Sequence, residues 1–163
     1  MEEWVNYAGR LHVMLVHFPI GLLVTAALVE LIAICRKQRK PQTASVVMAG
    51  FGAVAAVVAT GQGWIIGGNS RSADSLQLVE FHRWAGVATT ILALVAAIFG
   101  LLAYRGRLTF VWPFRLLVIV ASVAVIVAAH WGGELIYGED YFAPPGFETI
   151  EGKIDHVDPP VQA

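Results

Sequence analysis

The stretch that decides the fold is LHVMLVHFPIGLLVTAALVELIAIC, Leu11 to Cys35, whose single formal charge is Glu30. A helix needs about 20 apolar residues, at ~1.5 Å each, to cross a bilayer's hydrocarbon core. This run is long enough. It is followed at once by Arg36-Lys37-Gln38-Arg39-Lys40-Pro41, a basic cluster closed by a residue that stops helices. The same alternation recurs, and it predicts further spans at about 43–67, 81–104 and 115–137. The second of these carries no formal charge. Ala, Val and Gly fill the middles of the second and third spans, and small residues let helices approach closely in lipid. The expected fold is all-α: an integral membrane four-helix bundle over residues 1–137. Residues 138–163, GEDYFAPPGFETIEGKIDHVDPPVQA, read as an irregular, acidic, Pro-rich tail.

Composition agrees. The 163-residue chain is 57% hydrophobic and 14% charged, against ~25% charged for a soluble domain. That excludes disorder over most of the length. A net charge of −1 with no free basic face excludes nucleic-acid binding. One cysteine, Cys35, excludes a disulfide scaffold or an iron–sulfur cluster.

Charge sets the expected orientation. Four alternating spans put Arg36, Lys37, Arg39, Lys40, Arg105, Arg107 and Arg115 on one side, with Glu30 the only acid there. The other eleven acids share the opposite side with Arg10, Arg71, Arg83 and Lys153. The positive-inside rule makes the basic side cytoplasmic. Both termini are then expected in the periplasm, and the protein in a bacterial inner membrane as a multi-pass chain. The start Met1-Glu2-Glu3 lacks the basic region of a signal peptide, so the first helix is expected to be retained. Glu30 is expected to form a structural ion pair with Arg36, Arg105 or Arg107. Cys35 is read as a small apolar filler.

Four histidines gather in the outer half. His12 and His17 fall near the start of the first span, His82 near the start of the third, and His130 near the end of the fourth. His17 and His130 lie roughly 9–10 Å inside their helix ends, while His12 and His82 are shallow. His12 and His17 are separated by roughly 140° around the helix axis, and Pro19 is the one source of distortion there. Ionisable residues inside a membrane are costly and mark functional sites. His156, in the tail, is read as inert.

Three chemistries suit this cluster. The first is a haem b held between His17 and His130. Gly132, Gly133 and the helix-two glycines would make room, and Arg83, Arg10 and Arg71 would meet the propionates. The second is a non-haem Cu, Zn or Fe site, with Glu134 four residues after His130 as ligand or orienting group. The third is a proton or quinone site. Covalent haem attachment, a phosphate-binding loop, a dinucleotide fingerprint and a hydrolase triad are all absent from the sequence.

Leu11-His12-Val13-Met14-Leu15-Val16-His17-Phe18-Pro19-Ile20-Gly21 resembles the L-H-P-x-x-V-H-F-P-I-x opening of a widespread bacterial membrane family that carries a domain-of-unknown-function label. His82-Arg83-Trp84 and His130-Trp131-Gly132-Gly133-Glu134-Leu135-Ile136-Tyr137-Gly138 are similar to its later motifs, so the likeness covers about residues 10–138. One departure is Val13, where the family has Pro; it bears on the backbone after His12 and on no ligand. The resemblance implies a small four-helix membrane protein. Some of the family's members are fused to cytochrome c-like domains, which implies redox work.

The leading expectation is therefore a b-type haem electron-transfer subunit near the periplasmic face, rather than a stand-alone enzyme. His17 and His130 would be axial ligands, with His12, His82 and Arg83 at the propionates or a neighbouring site. Its partners would be the bilayer, a membrane redox complex or periplasmic cytochrome, and a quinone. The alternatives are a cofactor-free accessory subunit and a non-haem metal protein.

Overall fold

The computed structural model describes Tyr7 and residues 11–66 and 73–138. Four helices follow one another: α1 (His17–Cys35), α2 (Thr43–Ile66), α3 (Ala73–Tyr104) and α4 (Val111–Tyr137), the last entered through a 3-10 turn, Leu108–Phe110. Residues 11–15 are helical too, and only Val16 interrupts the run into α1. Pro19 explains the interruption, because it has no N–H to give the Leu15 carbonyl. The path stays close to helical: the Val16 N–H bonds the His12 carbonyl at 3.0 Å, and the Ile20 N–H reaches the Val16 carbonyl at 3.4 Å.

Each helix packs on its neighbours in chain order, and α4 returns to α1, which closes the ring. Four stretches are long and apolar enough to span a membrane: Leu11–Cys35, Thr43–Ile65, Gln77–Tyr104 and Leu108–Tyr137. The chain is a multi-pass membrane protein.

Burial is inverted relative to a soluble bundle. Twelve of the seventeen buried hydrophobic residues described are alanines, while Phe51, Ile65, Trp112 and Leu116 point outward. In lipid, burying large apolar side chains gains nothing over leaving them in the acyl chains, so small residues and close contact hold the helices together. Two glycines show how close. A Cβ on Gly52 would meet Leu23 Cδ2 at 3.0 Å, and one on Gly100 would meet the Phe114 ring at 2.9 Å.

Polar bonds gather at one end. Glu30 is fully buried and Arg115 nearly so. Arg115 Nε donates to Glu30 Oε2 at 2.9 Å. The other carboxylate oxygen accepts from the Gln42 N–H at 2.8 Å and from the Ser45 hydroxyl. Arg115 Nη2 donates to the carbonyls of Gln38 at 2.9 Å and Lys40 at 3.3 Å, and its guanidinium lies 5.4 Å from the Trp112 ring centroid. One ion pair thus ties α1, the α1–α2 loop, the start of α2 and α4.

Several expectations are corrected here. Glu30 pairs with Arg115, not with Arg36, Arg105 or Arg107. Arg115 does not open the fourth helix at the interface: it sits one turn inside, and α4 begins at Val111. Pro113 falls in that first turn, where a missing N–H costs little. Helix α3 begins at Ala73 rather than 81, because a helix runs on past the hydrocarbon where water satisfies its polar side chains. Cys35 is exposed rather than a core filler. The tail beyond Gly138, with His156, lies outside the described residues, as do Arg10, Arg71, Gly67 and Gly68.

Removing one partner of a buried ion pair leaves an uncompensated charge, at a cost of about 3–5 kcal/mol. Glu30→Gln and Arg115→Met should each lower unfolding stability in detergent by that order. The double change Glu30→Leu with Arg115→Met should recover most of the loss. Equal damage from the double and the single variants would show that the pair acts otherwise.

Candidate functional site

At the end of the bundle away from the ion pair, His12 and His82 come together. Their ring centroids lie 6.3 Å apart with planes at 88°. Each ring leans on the backbone of the helix beside it. His82 Nδ1 donates to the Ala128 carbonyl of α4 at 2.9 Å. The His12 ring lies beside Ala59 of α2. A carbonyl only accepts, so in the neutral His82 ring Nδ1 carries the proton and Nε2 keeps its lone pair. His12 Nδ1 is buried and meets no hydrogen-bond partner.

Two glycines make these approaches possible. A Cβ on Gly63 would come within 3.1 Å of His12 Cε1, and one on Gly132 within 2.9 Å of His82 Cε1 and 3.2 Å of its Nδ1. Each glycine lies four residues after the alanine that the imidazole approaches, which places it over the same helical turn. Below the rings, hydroxyls hold α2 on α3. Thr60 donates to the Gly86 carbonyl at 3.2 Å, and its oxygen lies 2.8 Å from that of Thr90. Thr90 also reaches the carbonyls of Ala56 and Gly86, at 3.3 and 2.9 Å.

The two imidazoles line a half-enclosed cavity of about 70 Å³. Its walls are mostly apolar, built from Val16, Pro19, Ile20, Val125 and several alanines. Arg83 and Thr89 of α3 add polar groups. Arg83 is held over the Trp64 ring, 5.0 Å from its centroid, and Nη2 approaches the Trp64 carbonyl at 3.5 Å. Arg83 Nε and Thr89 Oγ1 are buried without a hydrogen-bond partner, as is His12 Nδ1. All three side chains belong to the cavity's lining, with these atoms turned out of solvent reach.

The deep histidines behave differently. His17 is exposed, and its Nδ1 donates to the Val13 carbonyl of its own helix at 2.7 Å. His130 is exposed as well, and its Nε2 lies 3.1 Å from Glu134 Oε1 one turn on. Neither lines the cavity. The helical phase explains this: Pro19 and Leu23 take the inward face of α1, and Val125 and Ala128 that of α4.

These positions do not fit a haem held between His17 and His130, since the two imidazoles do not face a common space. The cavity beside His12 and His82 is also far smaller than a tetrapyrrole. Among the described residues no group of three or more His, Cys, Asp or Glu is placed to hold a metal ion. Of the residues predicted for the site, the structure brings His12, His82 and Arg83 together and leaves His17 and His130 apart. Sequence reading missed Thr89 and the roles of Gly63 and Gly132.

A family described as "Predicted membrane protein (DUF2231)" matches residues 9–141. No curated protein and no solved structure matches the chain.

Gly132→Ala should displace the His82 ring and destabilise the protein by about 1–3 kcal/mol, the usual cost of overpacking. His17→Ala and His130→Ala should stay within about 0.5 kcal/mol of the parent, as exposed positions do. Denaturant unfolding in detergent measures all three; a harmless Gly132→Ala would show that the ring contact is not close.

Proposed function

Given that the chain belongs to the DUF2231 family of predicted membrane proteins, we propose that it is a membrane-embedded ligand-binding subunit whose working group is the His12–His82 cavity. The observation that carries this reading is the meeting of four polar side chains, His12, His82, Arg83 and Thr89, in the wall of one otherwise apolar cavity inside the bundle. Polar side chains inside a membrane bundle are costly and mark functional sites, and four of them around one cavity support a ligand with polar groups of its own. The cavity reading replaces the haem pair with the shallow histidines and makes the chain one subunit of a larger membrane complex.

The charge asymmetry of the loops supports placing this cavity near the periplasmic face of a bacterial inner membrane, with both termini on that side. Arg36, Lys37, Arg39, Arg105 and Arg107 are all exposed at the opposite end, where anionic headgroups of the inner leaflet favour them. A single cysteine at Lys37, with Cys35 replaced, should react with an impermeant reagent only after the cytoplasmic side is opened. One at Asp155 should react in intact cells. Reaction of both from the same side would overturn the topology.

Ala129 lines the cavity. Solvent extracts of protein purified in mild detergent should yield a small molecule in near-stoichiometric amount, and Ala129→Phe should reduce it at least about tenfold while the helices stay folded by circular dichroism. Equal recovery from both proteins would reject the cavity as its site.

A further inference from the structure

The end of α1 is strained. The Lys37 N–H donates to the Ile34 carbonyl and the Gln38 N–H to the Ala33 carbonyl, both at 2.9 Å. These are the two bonds that close a helix through one left-handed residue. That residue is Lys37, at φ 55°, and among the described residues it is the one non-glycine with a positive φ. The second hairpin, α3 and α4, makes the same closure at the end of α3. There Gly106 donates to Ala103 and Arg107 to Leu102, both at 3.1 Å. The left-handed residue in that turn is Gly106, at φ 93°, which adopts the conformation without a steric clash. A residue with a side chain does not, and strain of this kind gathers at ligand clamps. What the first hairpin gains for the strain is a cation in a fixed place.

Lys37 lines an open groove of about 440 Å³ between the end of α1, the α1–α2 loop and the start of α4. That is the size of a ligand cleft. Two kinds of wall meet in it. Lys37, Gln38 and Arg39 are polar, while Ile34, Leu108, Val111 and Trp112 are apolar. Leu108 and Trp112 are exposed, at a helix end where a tryptophan marks the headgroup level. Arg115 lines the groove too, but Glu30 at 2.9 Å balances its charge. Among the described residues Lys37 and Arg39 make no ion pair, and Glu30 is the only acid at this end. The groove therefore carries the uncompensated charges of Lys37 and Arg39 beside an apolar wall. Their positions are held, because the carbonyls of Gln38 and Lys40, on either side of Arg39, are bonded to Arg115.

A soluble anion needs no apolar wall, and a hydrocarbon chain needs no cation. A phosphate group carried on hydrocarbon chains uses both, and basic pockets between membrane helices hold such head groups. A zwitterionic head group brings its own ammonium, which these cations repel. We propose that the groove between the end of α1 and the start of α4 binds one anionic phospholipid, its phosphate held by Lys37 and Arg39 and its chains lying along Ile34, Leu108 and Trp112. The phosphate oxygens accept charge-assisted hydrogen bonds from the ammonium and the guanidinium. This site lies at the ion-pair end of the bundle and does not depend on the His12–His82 cavity.

The test is native mass spectrometry of the full chain in a neutral detergent, titrated with dioleoylphosphatidylglycerol, dioleoylphosphatidylcholine or inorganic phosphate. The parent protein should take up one phosphatidylglycerol at least about tenfold more tightly than phosphatidylcholine, as two basic residues facing an anionic lipid imply. Lys37→Gly keeps the left-handed turn and removes the cation. It should unfold no earlier than the parent, while its phosphatidylglycerol affinity falls about fivefold, the effect of one basic residue. Arg39→Gln should lower the affinity equally. Lys40→Gln and Arg105→Gln remove exposed cations outside the groove and should leave the affinity within about twofold, less than one facing cation supplies. Equal binding of the two lipids by the parent overturns the proposal. An equal loss from Lys40→Gln and Lys37→Gly overturns it too, since the preference then belongs to the basic surface as a whole. Inorganic phosphate that displaces the lipid at equal concentration makes this a site for a soluble anion and overturns the lipid assignment.

Discussion

In a bilayer, Glu30 and Arg115 can be buried only together. Either charge alone in hydrocarbon is expensive, and the pair is tolerated because hydrogen bonds surround it on both sides. The carboxylate collects the Arg115 Nε, the Gln42 N–H and the Ser45 hydroxyl, and the guanidinium collects two loop carbonyls. Those bonds fix α1, the head of α2 and α4 against one another at one end. The alanine-lined contacts above them have no comparable directionality, since small side chains pack in many registers. The ion pair therefore chooses the register, and the register places His12 beside Ala59 and His82 beside Ala128.

A shift of 70 residues lays α1 on α3, and one of 69 lays α2 on α4, with buried positions on buried positions. In the second hairpin the positions equivalent to Glu30 and Ser45 are Gly100 and Phe114. There a ring packs against a glycine, with the Phe114 carbons 2.9–3.4 Å from where a Cβ would stand. The first hairpin fills the same two positions with a carboxylate and a hydroxyl in hydrogen-bond contact. Both solutions bring the helices close; only one also recruits a cation from α4. At the opposite end the two hairpins carry the same residues, His12, Ala59 and Gly63 in the first and His82, Ala128 and Gly132 in the second. They differ where a directional lock is made and match where the two imidazoles meet.

The spans, their number and their small-residue character were legible because hydrophobic length is a direct physical requirement of the bilayer. That four histidines share one end was legible for the same reason. Their facing was not. Depth along a helix follows from counting residues, but azimuth depends on which stripe the neighbours take. In a helix apolar on all sides no hydrophobic contrast marks that stripe. The inward stripe here is written in size: Leu23, Ala26 and Ala33 on α1, and Ala49, Ala53, Ala56 and Ala59 on α2. The partner of Glu30 escaped for a related reason. Arg115 reads as an interfacial cation by position, and only the early start of α4 at Val111 carries it inside. Comparison of the chain with itself at a shift of 69–70 residues was the signal that could have singled out His12 and His82 as a pair.

The site departs from the symmetry of its scaffold in a way that bears on function. The counterparts of Arg83 and Thr89 in the first hairpin are Val13 and Pro19. Val13 is exposed and Pro19 has no side-chain polar atom. The guanidinium and the hydroxyl, both from α3, make the two sides of that cavity unequal. Pro19 adds a second asymmetry, since it loosens the hydrogen-bond ladder at Val16 beside His12, whereas α3 is continuous past His82. The His12 side of the cavity is therefore the more yielding wall, and the His82 side, fixed through the Ala128 carbonyl, is the firmer one.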